Sequence, residues 1–205
     1  MVYKTLLLIE EGKETLLTEE QAWVEAARRG DAGAWEQIVQ AYQQPIFRLA
    51  YLLLGDADDA EDVAQETFLR AYHALERFDA ARPLRPWLMR ITTNLCHNWR
   101  RSVGRYLAVL QNVLRSEPPD RPASQQAEEN LESEMLWKAV RRLKLEDQQI
   151  IYLRYFLDCS EMEITDILGV AQGTVKSRQH RALARLRLVL KTEYPQMGQE
   201  GRDVL

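Results

Sequence analysis

The sequence predicts an all-α protein, built as two helical domains joined by a flexible linker. Three observations carry this. Leu, Ala, Arg, Glu and Gln are plentiful, whereas 205 residues include only 9 Gly and 7 Pro; that balance favours helix. Apolar residues recur at helical spacing, and long alternating β-branched runs are missing. Ser116 to Asn130 collects Pro118, Pro119 and Pro122 among Ser, Gln and Glu, with little to bury, as a linker does. The expected division is an N-terminal extension (1–17), a first domain (18–101), a linker (102–130), a second domain (131–194) and a tail (195–205).

The first domain opens at Thr18, an N-cap candidate with Gln21 in the capping-box position. Trp23, Ala26 and Ala27 continue at helical spacing, and Gly30-Asp31 breaks the run. Ala32 to Leu54 follows as one helix or a pair, with Pro45 as a kink or a new start, and Gly55 ends it. Asp58 or Asp59 is the expected cap of the next helix, whose stripe is Ala60, Ala64, Thr67, Ala71 and Leu75. A loop from Ala80 to Pro86 leads into a helix over Trp87 to Arg101, with Trp87, Ile91, Leu95 and Trp99 on one face. Gly104 to Arg115 is ambiguous, because Leu107, Leu110 and Leu114 also fit a short amphipathic helix. In the second domain Leu136, Val140 and Leu143 mark one stripe and Ile150, Ile151, Leu153 and Phe156 another.

The formal net charge of −4 argues weakly against nucleic acid, but the average hides a segregation. Asp56 to Glu66 carries six acids and no Lys or Arg; Lys176 to Lys191 carries six cations and no acid. Such a chain can offer an acidic face to one partner and a basic face to another. Cys96 and Cys159 form no CxxC, and His73, His97 and His180 are scattered, so neither a zinc site nor any other cofactor is expected. No catalytic constellation or Gly-rich phosphate loop is present, so no enzyme is expected. The apolar run Leu6 to Ile9 is too short for a signal peptide or a membrane span. Together with the unpaired cysteines it points to the cytoplasm, without membrane insertion.

Glu161 to Arg187 reads as a helix-turn-helix. Ser160 caps the first helix, Ile164, Ile167 and Leu168 face inward, Gly169 supplies the turn, and a second helix begins near Gln172 or Gly173. With Val175, Leu183 and Leu186 inward, Thr174, Lys176, Ser177, Arg178, His180 and Arg181 point outward. Those side chains donate to base edges and phosphates, and the start of such a second helix enters the major groove. A solvated basic helix is the bland alternative; the cap, turn and small residues before it favour DNA.

Gly173 to Ala182 (Gly-Thr-Val-Lys-Ser-Arg-Gln-His-Arg-Ala) resembles region 4 of bacterial sigma factors of the extracytoplasmic-function (ECF) group of the sigma-70 family. Asp58 to Tyr72 resembles their region 2.2, and Phe78, Trp87-Leu88, Arg90-Ile91 and Asn94 fit the promoter-melting part of region 2. The resemblance implies a sigma factor that directs core RNA polymerase to specific promoters and opens the −10 region, for stress or envelope-response genes. It implies docking on the β′ clamp helices through Asp59, Asp62, Gln65, Glu66 and Phe68, and a second polymerase contact at the β flap. The implied −10 residues are Arg82, Arg85, Trp87, Arg90, Asn94, Asn98 and Arg101. The implied −35 residues are Thr174, Lys176, Ser177, Arg178, His180 and Arg181. An anti-sigma factor that clamps both domains is a further implied partner. The chain departs from the family at Ala80, Ala81, Arg82, Pro86 and Asn98. From the residues alone, the acids of 56–66 also serve as caps and solvation, and Trp87 also fits a core position. A stand-alone DNA-binding regulator and an enzyme with an appended DNA-binding domain are the rival classes.

Overall fold

Asp31 accepts hydrogen bonds from the amides of Gly33 (2.9 Å) and Ala34 (3.2 Å), and so starts the helix that organises the first domain. The computed structural model describes residues 18–114 and 131–193, with side chains over 18–103 and 135–193. The expected extension, the proline-rich stretch Ser116 to Asn130 and the tail lie outside the described residues. All regular structure among the described residues is helical.

Helix α1 spans 18–28. Helix α2, Ala32–Leu54, is one continuous helix with Pro45 inside it, neither a pair nor a restart. Gly55 ends it in the left-handed region at φ 79°. Helix α3, Ala57–Ala74, begins a turn earlier than expected, because Asp56 rather than Asp58 or Asp59 is its cap and accepts from the Asp59 amide at 3.0 Å. Asp58 and Asp59 sit instead in the first turn, where the helix dipole favours them. A 3₁₀ turn, Leu75–Arg77, follows.

Helix α4, Leu84–Leu114, differs from expectation at both ends. Arg85 and Pro86 belong to its first turn and not to the preceding loop. Proline is tolerated there because its missing N–H would have no partner in the helix. At the far end α4 runs past Arg101 and Gly104 into the stretch expected to be linker. Its inward face also differs: Leu88, Met89, Thr92, Leu95 and Cys96 are buried, whereas Trp87, Ile91 and Trp99 are half-buried at the edge.

The first domain packs α2, α3 and α4 against one another, with Val24 of α1, Ile38, Ile46 and Leu49 of α2, and Leu84 and Leu88 of α4 fully buried. The α3 stripe Ala60, Ala64, Thr67, Ala71 and Leu75 is buried as its spacing predicts. Small residues there let α4 approach closely. Inside that contact the Thr67 hydroxyl donates to Val63 O (2.8 Å) and lies 3.2 Å from the Thr92 hydroxyl, which donates to Leu88 O (2.9 Å). Both buried hydroxyls are thus satisfied.

One buried carboxylate ties three helices together. Glu20 of α1 is 3% exposed. It accepts from the Tyr42 hydroxyl on α2 and from the backbone N–H of Leu84 (2.9 Å), the first residue of α4. The cap of α4 is therefore tertiary, supplied by a residue more than sixty positions earlier.

The second domain holds α5 (Leu131–Arg141), α6 (Leu145–Ile151), a wider turn over Tyr152–Phe156, α7 (Glu161–Leu168) and α8 (Gln172–Glu193). Its core gathers Val140, Ile150, Tyr152, Leu153, Ile164 and Val175. Trp137, Tyr152 and Phe156 form an aromatic cluster with ring centroids 5.5–5.6 Å apart. Gly169 between α7 and α8 has φ 64°, and a Cβ there would lie 3.3 Å from Nη2 of Arg90. Gly169→Ala is expected to lower unfolding stability by about 1 kcal/mol, the left-handed cost for an L side chain, measured by urea denaturation.

Candidate DNA and partner interfaces

Ser160 and Glu163 form a full capping box at the start of α7. The Glu163 amide donates to the Ser160 hydroxyl (3.2 Å), and the Ser160 amide donates to the Glu163 carboxylate (2.8 Å). After the Gly169 turn, α8 is fixed by its buried Val175, Ala182 and Leu186. Arg185 pairs with the buried Asp147 of α6, and Gln179 donates to the Tyr155 hydroxyl at 3.0 Å. This anchoring turns the other side of α8 outward. Lys176, Ser177, His180 and Arg181 are exposed, and Thr174 and Arg178 are half-exposed. Positions 174, 177, 178 and 181 follow the i, i+3, i+4, i+7 spacing of one helical face. Lys176 lies 3.6 Å from Glu161, and Arg181 donates to Ser177 O at 3.1 Å. Both contacts are exposed, so they yield readily to a phosphate.

A second cluster lies where α4 begins. Phe78 is buried against Trp87, with ring centroids 4.4 Å apart. Arg28 holds the turn before it, donating to Leu75 O (3.0 Å) and to Phe78 O. Arg77, Arg82 and Arg90 surround the two rings and line a cavity of about 220 Å³. Trp87 is thus both packing residue and wall. Asn94 is exposed one turn beyond Arg90. Asn98 does not line this cavity: it borders a separate groove with Asp62, Gln65, Glu66 and Leu69. Arg101 is exposed and lines neither.

The third surface is the outer face of α3. Asp62 and Gln65 are exposed, and Glu66 pairs with Arg70 at 2.6 Å. Phe68 is half-buried, edge-on to Trp35 of α2 at 6.4 Å. The exposed aromatic of this helix is instead Tyr72, 49% exposed, which also meets Trp35 at 5.1 Å; Leu69 beside it is 58% exposed. Gln65, Phe68, Leu69 and Tyr72 border an apolar groove with Trp35, Val39 and Asp31, while Asp62 and Glu66 line the neighbouring groove beside Asn98.

The sigma-70 region 2 family model matches residues 38–106, and the sigma-70 region 4 model matches 133–186. The ECF RNA polymerase sigma factor SigL of Mycobacterium tuberculosis is 34% identical over 171 residues, spanning 83% of this chain and 96% of SigL. SigW of Bacillus subtilis is 33% identical over 187 residues, spanning 82% of this chain and 95% of SigW. The chain is an ECF sigma factor. Its function is therefore to direct RNA polymerase to promoters for initiation. Among solved structures, CnrH in complex with the cytosolic domain of CnrY superposes with a TM-score of 0.66 at 26% identity, covering 84% of this chain and 97% of CnrH. RpoE of Bartonella quintana, in complex with the anti-sigma factor NepR, superposes with a TM-score of 0.61 at 27% identity, covering 77% of this chain and 96% of RpoE.

Of the candidate −35 residues, Thr174, Ser177, Arg178 and Arg181 share one face of α8, and Lys176 and His180 flank it on the exposed side. The candidate −10 residues are scattered: Arg82, Trp87 and Arg90 meet at one cavity, while Asn98 falls beside the α3 residues. Sequence reading missed Trp35, Leu69 and Tyr72. The spacing of Phe68, Leu69 and Tyr72 held a signal, but their juxtaposition with Trp35 of another helix is a tertiary fact. No candidate metal cluster occurs among the described residues, and none of their helices is long and apolar enough to cross a membrane. The thiols are chemically quiet: burial pushes Cys96 up to about 12 and Cys159 up to about 11.

Proposed function

We propose that the three surfaces divide the work of this sigma factor. The outer face of α3 docks on the β′ clamp helices of core polymerase through Asp59, Asp62, Gln65 and Glu66, with Phe68, Leu69 and Tyr72 as the apolar centre. The start of α4 holds the opened −10 strand through Arg82, Arg85, Trp87, Arg90 and Asn94, with Asn98 and Arg101 farther along the helix. Thr174, Lys176, Ser177, Arg178, His180 and Arg181 of α8 read the −35 element, and the second domain contacts the β flap. The protein works by binding alone, in the cytoplasm, on stress or envelope-response promoters. An anti-sigma partner is part of this reading, supported by the similarity to CnrH and RpoE, both solved in complexes.

The observation that carries the reading is the segregation of charge on rigid helices. The cationic face of α8 stands on a capped helix-turn-helix, while the acidic and apolar face of α3 stands in the other domain. Cations on a recognition helix address DNA, and an acid-edged apolar patch suits a basic helical partner. Run-off transcription with core polymerase, with and without the protein, tests it; no promoter-dependent transcript on any host fragment overturns it. Lys176→Ala and Arg181→Ala are each expected to weaken promoter use by about 1–3 kcal/mol if they contact bases. Unchanged discrimination between −35 sequences in both variants would remove α8 from the role.

A further inference from the structure

We infer that Gln172, the first residue of α8, reads an adenine in the −35 element, and that Glu161, the first residue of α7, holds its amide in the reading orientation. This deepens the −35 reading above and rests on it, because the residues proposed there begin at Thr174 and leave the start of the helix unassigned.

The two helix starts lie side by side. Gln172 stands eleven residues after Glu161, and its Nε2 donates to Glu161 Oε2 at 3.3 Å across the Gly169 turn. Lys176, one turn farther along α8, lies 3.6 Å from the same oxygen. One carboxylate oxygen of the first helix thus serves two side chains of the second. The contact is not part of the core: Gln172 is exposed and Glu161 half-buried.

The chemistry follows from what each group can do. An amide has a donor end and an acceptor end, and half a turn exchanges them. A carboxylate only accepts hydrogen bonds. Glu161 therefore selects the NH2 end of Gln172 and sets the direction of the amide. With one N–H given to Glu161, Gln172 still offers one N–H and its oxygen. Adenine presents the matching pair in the major groove, N7 as acceptor and the N6 amino group as donor, and no other base does. The start of the second helix is also the part of a helix-turn-helix that meets base edges. A carboxylate close to DNA repels phosphates, and Lys176 offsets that charge where it arises.

Gly173 supports the same reading. Its φ is not in the left-handed region, and a Cβ there would meet nothing within 4 Å. Neither conformation nor packing calls for a glycine here, and glycine weakens a helix relative to alanine. Its missing side chain leaves room beside Gln172 for the groove to approach.

The test uses holoenzyme assembled from core polymerase and the full chain. Bound promoters are selected from fragments with a constant −10 element and a randomised −35 element, and sequencing gives the base preference at each position. The wild-type chain is expected to prefer adenine at one position, and Gln172→Ala should relax that preference by roughly fivefold to a hundredfold. The other −35 positions should keep their preferences, which controls for folding. Glu161→Ala should relax the same position by roughly twofold to fivefold. Combined with Gln172→Ala it should add nothing, because the group it orients is gone. The exchange Glu161→Gln with Gln172→Glu restores the hydrogen bond with its direction reversed and turns an acceptor toward the groove. It should move the preference from adenine to cytosine, whose N4 amino group donates. Gln172→Ala with every position unchanged, or with all positions weakened alike, overturns the base contact, and so does an exchange variant that keeps adenine. Glu161→Ala with wild-type preferences overturns the orienting role. If Lys176→Ala and Arg181→Ala also leave every −35 preference unchanged, the failure belongs to the −35 reading as a whole and not to Gln172 alone.

Discussion

Leu69→Ala with Tyr72→Ala is expected to reduce binding to core RNA polymerase by roughly 10²- to 10³-fold, at about 2 kcal/mol for each apolar anchor of an interface centre. Both side chains are largely exposed in the free protein, Leu69 at 58% and Tyr72 at 49%. Truncating them costs the fold little, so the loss reports on the interface. Exposed apolar side chains of this size beside an acid-rich edge are wasted on solvent unless something covers them. Charge reversal at Asp62 and Glu66 should give a comparable loss with a different signature: it slows association and depends on salt, whereas the apolar truncation speeds dissociation. Surface-immobilised core polymerase separates the two. Unchanged binding in the Leu69/Tyr72 variant would show that polymerase docks elsewhere.

The second large effect is expected at Glu20. Glu20→Ala should lower unfolding stability by about 2–4 kcal/mol, because it orphans the buried Tyr42 hydroxyl and the Leu84 amide at once. Glu20→Gln retains an acceptor and should cost less. Tyr42→Phe removes one donor together with its need, so the Glu20→Ala, Tyr42→Phe pair should be less destabilised than the sum of the singles. Additive losses would show that the two side chains do not interact. A pH dependence accompanies this contact. Burial and the neighbouring Glu20 hold the Tyr42 hydroxyl far above its ordinary value of 10.0. The unfolded chain releases this proton near that ordinary value while the folded chain keeps it. The stabilisation is therefore complete below about pH 10 and fades as pH rises further. Urea denaturation of wild type and Tyr42→Phe across that range should show the difference.

Local chemistry made much of this protein legible. The i, i+4 stripe of α3 is buried as spaced, the Ser160 cap and Gly169 turn stand where their residue types place them, and Lys176, Arg178 and Arg181 lie on the side of α8 away from buried Val175, Ala182 and Leu186. Each of these is decided within a few residues, by a hydrogen bond to a neighbouring amide, a backbone conformation that glycine adopts cheaply, or the period of the helix. The clearest misread boundary has a tertiary cause. Leu84 begins α4 because a carboxylate from α1 meets its amide, and no window of sequence around Leu84 contains Glu20. Asp58 and Asp59 were equally good caps by type; the chain uses Asp56, directly after the left-handed Gly55, and its carboxylate accepts from the Asp59 amide.

The same division runs through the functional surfaces. Charge segregation, helical period and the turn between α7 and α8 are properties of the sequence by itself, and they determine an all-helical chain with a basic helix-turn-helix; the family comes from the resemblance of Asp58–Tyr72 and Gly173–Ala182 to sigma-factor regions. Tertiary structure alone decided that Trp35 of α2 backs Phe68 and Tyr72 of α3, which leaves Tyr72 as the exposed aromatic of the outer face of α3. It also decided that Arg82 and Arg85 face Asp166 and Glu163. Side chains some eighty residues apart meet only because the start of α4 packs against α7 around buried Met89 and Cys159, which no local preference of the charges themselves dictates.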